Sequence, residues 1–385
     1  MVLSRGFVTV ALVVYTVLSK FAKSVTAKSL HDNSPKCDCY VTNGRSSAFF
    51  QYHRYFDFGD VSTDSVYDSE PANVTDSQSS GDEPSQQGYI RSHAFSKDWS
   101  IQTWGRKSTP PVYPVTMQMS PQNVFIQRNP EELPSTHLTL RAYRSRNFYS
   151  TAEIQYQQRN LLHASIRLRA RIRGASGSVA GIFVYLNDTQ ESDIEILTND
   201  PSNHIRLTNH PVFDNDGVYV PNAMSDVELP GPTVWTDWVT YRLDWTPTKS
   251  SWYANGQWLF EKEFGVPRFP SVLIINMWGN GGTWAGNMTL GSAAYLDIRW
   301  IDVVFNTSGP VAGYTPDETK RKFRRDTGLL EKREDDDNCH RVCAVDDIPA
   351  VGFPVLVSDA TRTTWYSQRT LEYILAITLA VVVII

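Results

Sequence analysis

Long helical periodicity is missing from the body of this chain. No extended stretch repeats its apolar residues every 3.6 positions, which sets aside a fold built from helices. Strong charge of one sign is missing too. The 385 residues carry a formal net charge of -5, too mild a field to suggest a nucleic-acid partner. Apolar runs long enough to span a bilayer comfortably are absent; Phe7–Leu18 and Leu371–Ile385 are both short for that purpose. Cysteine is scarce, at four residues, and no internal repeat is apparent. Aromatic residues are plentiful: 12% of the chain is Phe, Trp or Tyr, enough for a large core and a lined cleft.

The two ends read as processing segments. Arg5, an apolar run and the small residues Val25-Thr26-Ala27 lay out a secretory signal peptide over 1–27. Ser358-Asp359-Ala360, a polar spacer and the apolar tail lay out a glycosylphosphatidylinositol attachment signal over 359–385; a tail-anchored helix is the competing reading. The expected location is outside the cell, held at its surface by lipid. Pairing of Cys37, Cys39, Cys339 and Cys343 is then expected. A Cys37–Cys39 bridge closes too tight a loop. Two bridges from the Cys-Asp-Cys to the C-terminal pair are favoured, with a local Cys339–Cys343 bridge as the alternative. Sequons at Asn73, Asn187, Asn287 and Asn306 fit a secreted glycoprotein.

Between about 90 and 305 strand follows strand. Leu138–Ala142, Ala164–Ile172, Val239–Trp245 and Tyr295–Val303 alternate in character. Asn255-Gly256 between two aromatic runs signals a tight hairpin. The fold class is therefore all-β, with antiparallel strands in two packed sheets. A single domain over 28–309 follows, carrying a flexible acidic, Ser-rich loop at 60–88. A charged linker with the second cysteine pair fills 310–358.

Glu191-Ser192-Asp193-Ile194-Glu195 is where the chemistry is expected. On a strand, Glu191, Asp193 and Glu195 share one face. Three carboxylates in a row repel, and such repulsion can keep one carboxyl protonated beside ionised ones. Acid and base chemistry on a glycosidic bond needs that arrangement. Strand residues four apart have Cα atoms about 13 Å apart, whereas paired glycosidase carboxyls lie about 5–5.5 Å apart in retaining enzymes and about 6.5–9.5 Å in inverting ones. The side chains must therefore converge, as they do on a concave sheet. An acidic cluster of this kind also suits calcium. Gly181–Leu186 reads as the preceding strand and Asn187–Thr189 as the turn. That pairing puts the carboxylates in mid-sheet.

Taken together these segments resemble glycoside hydrolase family 16. The Glu-x-Asp-x-Glu strand, Gly181–Tyr185 before it, Tyr241-Arg242-Leu243-Asp244-Trp245, Asn276-Met277-Trp278-Gly279 through Trp284, and Leu296–Ile301 follow the family's order. Cys37–Gly44 and Tyr52–Phe58 resemble its filamentous-fungal members. Ser192, where the family usually has an apolar residue, and Asn255, where its hairpin often has Asp, depart from the pattern.

The resemblance implies a concanavalin A-like jelly roll that cleaves internal β-glycosidic bonds with retention. Glu191 would be the nucleophile, Glu195 the general acid and then base, and Asp193 the residue that tunes them. Tyr185, Trp278 and Trp284 are candidate sugar platforms; His204, with His210, is a candidate polar contact. The expected protein is a monomeric endo-β-glucanase acting on β-1,3- or β-1,3/1,4-glucan. It would use no cofactor or metal, bind no nucleic acid, and touch a membrane only through its anchor. A wall transglycosylase and a non-catalytic lectin-like module are the alternatives.

Overall fold

The computed structural model describes residues 37–311 and 339–358, apart from 46–47, 63–65, 67–69, 77–87, 130–131 and 133–134. The expected signal peptide, most of the charged run and the C-terminal tail lie outside the described residues.

Two sheets pack face to face as a jelly roll. The inner sheet orders its strands Trp99–Ile101, Phe148–Tyr156, Val272–Trp278, Val179–Asn187, Gln190–Leu197, His204–Asn209 and Met224–Glu228. In the outer sheet, Leu161–Gly174 lies between Val239–Trp245 and the 15-residue strand Ala293–Thr307. That long strand pairs with Thr136–Arg144 along one half and Tyr52–Asp57 along the other. Phe148–Tyr156 serves both sheets: its first residues pair with Thr116–Met119, its later ones with Val272–Trp278. The two described α-helices, Gly88–Arg91 and His93–Ser96, are single turns, and Pro121–Asn123 adds a short 3-10 turn.

Alternation decides which side chains fill the space between the sheets. Ile182 and Val184, Ile194 and Ile196, and Ile166, Leu168 and Ala170 all point into one core and are essentially buried. Removing such area from water contributes about 25 cal/mol per Å². Ser192 faces this core as well. Its hydroxyl meets Ser250 Oγ of the outer sheet at 3.1 Å, so the departure from an apolar residue is met by a polar partner. Asn255 and Gly256 both have positive φ, 49° and 77°, which closes the hairpin between Ser250–Ala254 and Gln257–Lys262 in the twist that flanking strands prefer.

Both bridges join the N-terminal pair to the C-terminal pair: Cys37 to Cys343 and Cys39 to Cys339. Each closes a loop of 300 residues or more, worth on the order of 5 kcal/mol in the chain-entropy account. Residues 339–358 are more than a linker. Val342–Ala344 runs parallel to Cys39–Val41 and antiparallel to Val355–Ser358. Asp346 there accepts two hydrogen bonds from Arg167, at 2.9 and 3.1 Å, and a third from Arg242 at 3.2 Å. Within the Ser-rich stretch Val61, Val66 and Val74 are buried. Of the sequons, Asn73, Asn187 and Asn287 are exposed. Asn306 is committed to the backbone of Gln51 and Phe49.

Candidate active site

The strand Gln190–Leu197 lies in the middle of the inner sheet, between Val179–Asn187 and His204–Asn209. Its odd-numbered residues face away from the core. Glu191 is opposite Tyr185, Asp193 opposite Phe183, and Glu195 opposite Gly181. On the other side Asp193 meets Thr208 and Glu195 meets Arg206. All three carboxylates thus lie on one face, and Asp193 is only 3% exposed.

Burial governs their charge. It pushes the Glu191 carboxyl up to about 10, reinforced by the neighbouring Asp193 charge and opposed by His210. Burial, then the Glu195 charge, holds Asp193 well above the usual carboxylate range. Burial raises Glu195 as well, and the Trp284 hydrogen bond works against it. The trio therefore retains protons at a pH where isolated carboxyls have lost theirs.

His210 follows the next strand and brings Nε2 to 3.2 Å from Asp193 Oδ2 and 3.8 Å from Glu191 Oε2. The donor atoms of Glu191, Asp193 and His210 lie within 4.8 Å of one another, close enough to hold a metal ion. A nitrogen among them suits calcium poorly, since that ion prefers an all-oxygen shell.

At the other end Trp284 Nε1 donates to Glu195 Oε1 at 3.3 Å. Arg206 lies over the Trp284 ring, 5.1 Å from its centroid, and is fixed by two bonds to Asp200 at 2.9 and 3.0 Å. Trp284 and Trp278 pack with Val179, Leu197 and Ala285 in a small apolar cluster. Of the candidate platforms, Trp284 touches the trio directly and Trp278 stands beyond it. Tyr185 is the cross-strand neighbour of Glu191, and its hydroxyl donates to Asp188 Oδ1 at 3.1 Å. His204 is not brought to the carboxylates. Its Nδ1 lies 2.9 Å from Asp226 Oδ1, and Glu228 is 3.8 Å from its Nε2.

The row of Glu195 continues across the sheet through Gly181 and Asn276 to Glu153. Glu153, 3% exposed, accepts from Trp104 Nε1 at 3.1 Å, Gln155 Nε2 at 2.9 Å and Asn276 Nδ2 at 3.2 Å. Asn276 Oδ1 and Asp193 Oδ1 are buried without a hydrogen-bond partner among the described residues. Beyond Glu191 the surface continues as a hollow of about 590 Å³, whose lining includes Gln190, His210, Phe264 and Phe269. Arg206, Glu153 and Asn276 were not singled out from sequence as site residues. The available signal was alternation: Glu153 sits between apolar Ala152 and Ile154, and Arg206 between Ile205 and Leu207.

Residues 114–302 match the model of glycosyl hydrolases family 16. This stretch is a family 16 glycosyl hydrolase domain. It contains Glu191, Asp193 and Glu195 together with Glu153, Asn276 and Trp284. The matched stretch does not include the outer strand Tyr52–Asp57 or the disulfide-tied segment after 339. The β-glucanase of Bacillus amyloliquefaciens is 26% identical over 139 residues, covering 33% of this chain and 52% of that protein. The β-glucanase of Fibrobacter succinogenes is 23% identical over 192 residues, covering 46% of this chain and 52% of that protein. The chain thus spans about half the length of the curated relatives it matches. Among solved structures, a Bacillus licheniformis β-glucanase is 20% identical and aligns over 53% of this chain and 91% of its own, with a TM-score of 0.43. A lichenase from a mouse hindgut metagenome is 17% identical and aligns over 66% and 99%, also with a TM-score of 0.43.

Proposed function

We propose that this chain is a retaining endo-β-glucanase that hydrolyses internal bonds of β-1,3- or β-1,3/1,4-glucan by double displacement. The observation that carries this reading is the row Glu191, Asp193, Glu195 on the exposed face of a mid-sheet strand, with Trp284 hydrogen-bonded to Glu195.

In the first step a Glu191 oxygen attacks the anomeric carbon. The bond to the leaving sugar's oxygen breaks, and the Glu195 carboxyl delivers its proton to that oxygen. In the second step Glu195, now ionised, takes a proton from water. As that proton leaves, the water oxygen displaces Glu191 from the anomeric carbon, so Glu195 ends protonated and Glu191 ionised. Burial keeps protons on the trio, Glu191 included, so the first step requires Glu191 to give up its proton while Glu195 keeps one. Asp193, between the two, raises the proton affinity of Glu191, and Glu195 raises that of Asp193. His210, when protonated, favours the ionised form of Glu191. The unpartnered oxygens of Asp193 and Asn276 suit sugar hydroxyls. Trp278, Trp284 and Tyr185 would hold sugar rings along the cleft, with His204 at its rim.

The two long-range disulfides support work outside the cell, where such bonds persist. The test is incubation with laminarin, lichenan and chitin oligomers, followed by product sizing and assignment of the first anomer formed. Shorter β-anomeric products from laminarin or lichenan are expected. Longer hybrid chains would assign a transglycosylase, and binding without any product a lectin.

A further inference from the structure

The outer sheet carries a feature that the cleft does not use. Along Leu161–Gly174 the residues Arg167, Arg169, Arg171 and Arg173 alternate with core residues and so share the outward face. Three of them are neutralised. Arg167 pairs with Asp346 at 2.9 Å, and Arg171 and Arg173 pair with Asp297 at 3.2 and 2.9 Å. Arg169 makes no hydrogen bond and no ion pair among the described residues, although it is half-buried. The like charge of Arg299 lies close to it. The Arg169 nitrogens are not sealed from solvent, so its donors are open to a ligand's acceptors.

Arg169 opens onto a hollow of about 350 Å³ shared with Trp238, Trp300, Tyr55, Arg299 and Asp57. That volume falls in the range of small-molecule sites, about 300–1,000 Å³. Trp300 is the direct cross-strand neighbour of Arg169. Trp238 is half-exposed, with Arg171 over its ring 4.8 Å from the centroid. The charges around the hollow cancel. Arg299 is bound to Glu132 at 2.5 Å, and the Asp57 carboxylate accepts from the Gly59 backbone at 2.7 Å. A balanced set of donors and acceptors beside flat aromatic rings favours no strong ion. It suits a neutral ligand rich in hydroxyls, with an apolar ring face to lay against indole.

We propose that this hollow is a second sugar-binding site for a neutral glycan chain, on the sheet opposite the carboxylate cleft. Arg169 donates to the sugar's hydroxyls, and Trp238 and Trp300 supply the apolar wall. A polymer held there stays beside the domain while its cleft works on another segment. Only the choice of a glucan as probe rests on the function proposed above.

The experiment uses the full chain carrying Glu191→Gln, so that probe is bound without being cut. Laminarin and lichenan oligomers are titrated by calorimetry, with tryptophan fluorescence as a second readout. Two molecules bound per chain are expected. Adding Trp238→Ala or, separately, Arg169→Met should reduce this to one, with the affinity of the remaining site changed by less than about twofold. In the otherwise native chain the same two substitutions should leave hydrolysis of short soluble oligomers unchanged. One molecule bound per chain before either substitution would overturn the second site while leaving the cleft standing. Two bound after both substitutions would also overturn it. Loss of binding only in a variant whose melting temperature has collapsed is resolved by the other variant. No binding at any position would count against the glucanase reading as well.

Discussion

Replacing Gly181 with alanine puts a methyl group into the row that joins Glu195 to Asn276. Its Cβ would lie 2.6 Å from Asn276 Oδ1, where ordinary contact begins at 3.4 Å. Something must retreat by about 0.8 Å, a distance that follows directly from these two values. Asn276 has little room to do so. Its amide already donates to Glu153 Oε2 at 3.2 Å, and Glu153 is held in turn by Trp104 and Gln155. Stretching the Asn276 bond forfeits a hydrogen bond to a charged acceptor, worth about 1.5–3 kcal/mol. Moving the strand instead shifts Glu195, and misplacement on the order of 1 Å costs about 100-fold in rate. Gly181→Ala should therefore lower stability by about 1–3 kcal/mol. It should also lower kcat/KM on lichenan or laminarin by about 10- to 100-fold. Thermal melting and steady-state kinetics read the two effects. A variant that melts and turns over like the native chain would refute the claim that the Glu195–Gly181–Asn276 row sets the cleft floor.

Glu191→Gln should stabilise the fold progressively as pH rises from about 4. Above the unfolded-state pKa the free chain is ionised at this residue while the native carboxyl, pushed up to about 10, still holds its proton. Native stability then falls by at most about 1.4 kcal/mol per pH unit from this group. Melting curves of both proteins from pH 4 to 8 check it, and a constant difference would contradict it. Trp284→Phe removes the N–H that favours ionised Glu195, so the alkaline limb of the pH–rate profile should move to higher pH; an unmoved limb would separate Glu195 from that limb. Asp346→Ala leaves the buried Arg167 without its ion pair and takes one of two carboxylates from Arg242, which keeps Asp244 at 2.6 Å. A loss of about 3–5 kcal/mol is expected in denaturant titration, and a loss near zero would show that the C-terminal segment is held by the disulfides alone.

Local pattern was enough for the elements that depend on neighbours in sequence. The carboxylate strand, the Asn187–Thr189 turn and the Asn255-Gly256 hairpin follow from alternation and turn chemistry. Cys37 and Cys39 lie too close together to bridge, which leaves few pairings. What stayed hidden depends on register between strands. His204, Arg206, Thr208 and His210 alternate on one face, so sequence offers either histidine to the acids. The pairing of Asp193 with Thr208 and of Glu195 with Arg206 decides it. That register sets His210 beside Glu191 and sends His204 past Glu195 to Asp226. Glu153 is hidden for the same reason, since it reaches the cleft row only through two intervening strands. The burial of Val61, Val66 and Val74, sparse among polar residues, carries no local pattern to read.

Whether the carboxylates on the cleft face of Gln190–Leu197 do the chemistry decides the proposed function. The direct measurement is turnover of lichenan and laminarin by Glu191→Gln and by Glu195→Gln, each first checked by melting and circular dichroism. Loss of at least about 1,000-fold in kcat by Glu191→Gln, in a protein that melts at or above the native temperature, is expected for a missing nucleophile. Native-like rates from both folded variants would contradict it.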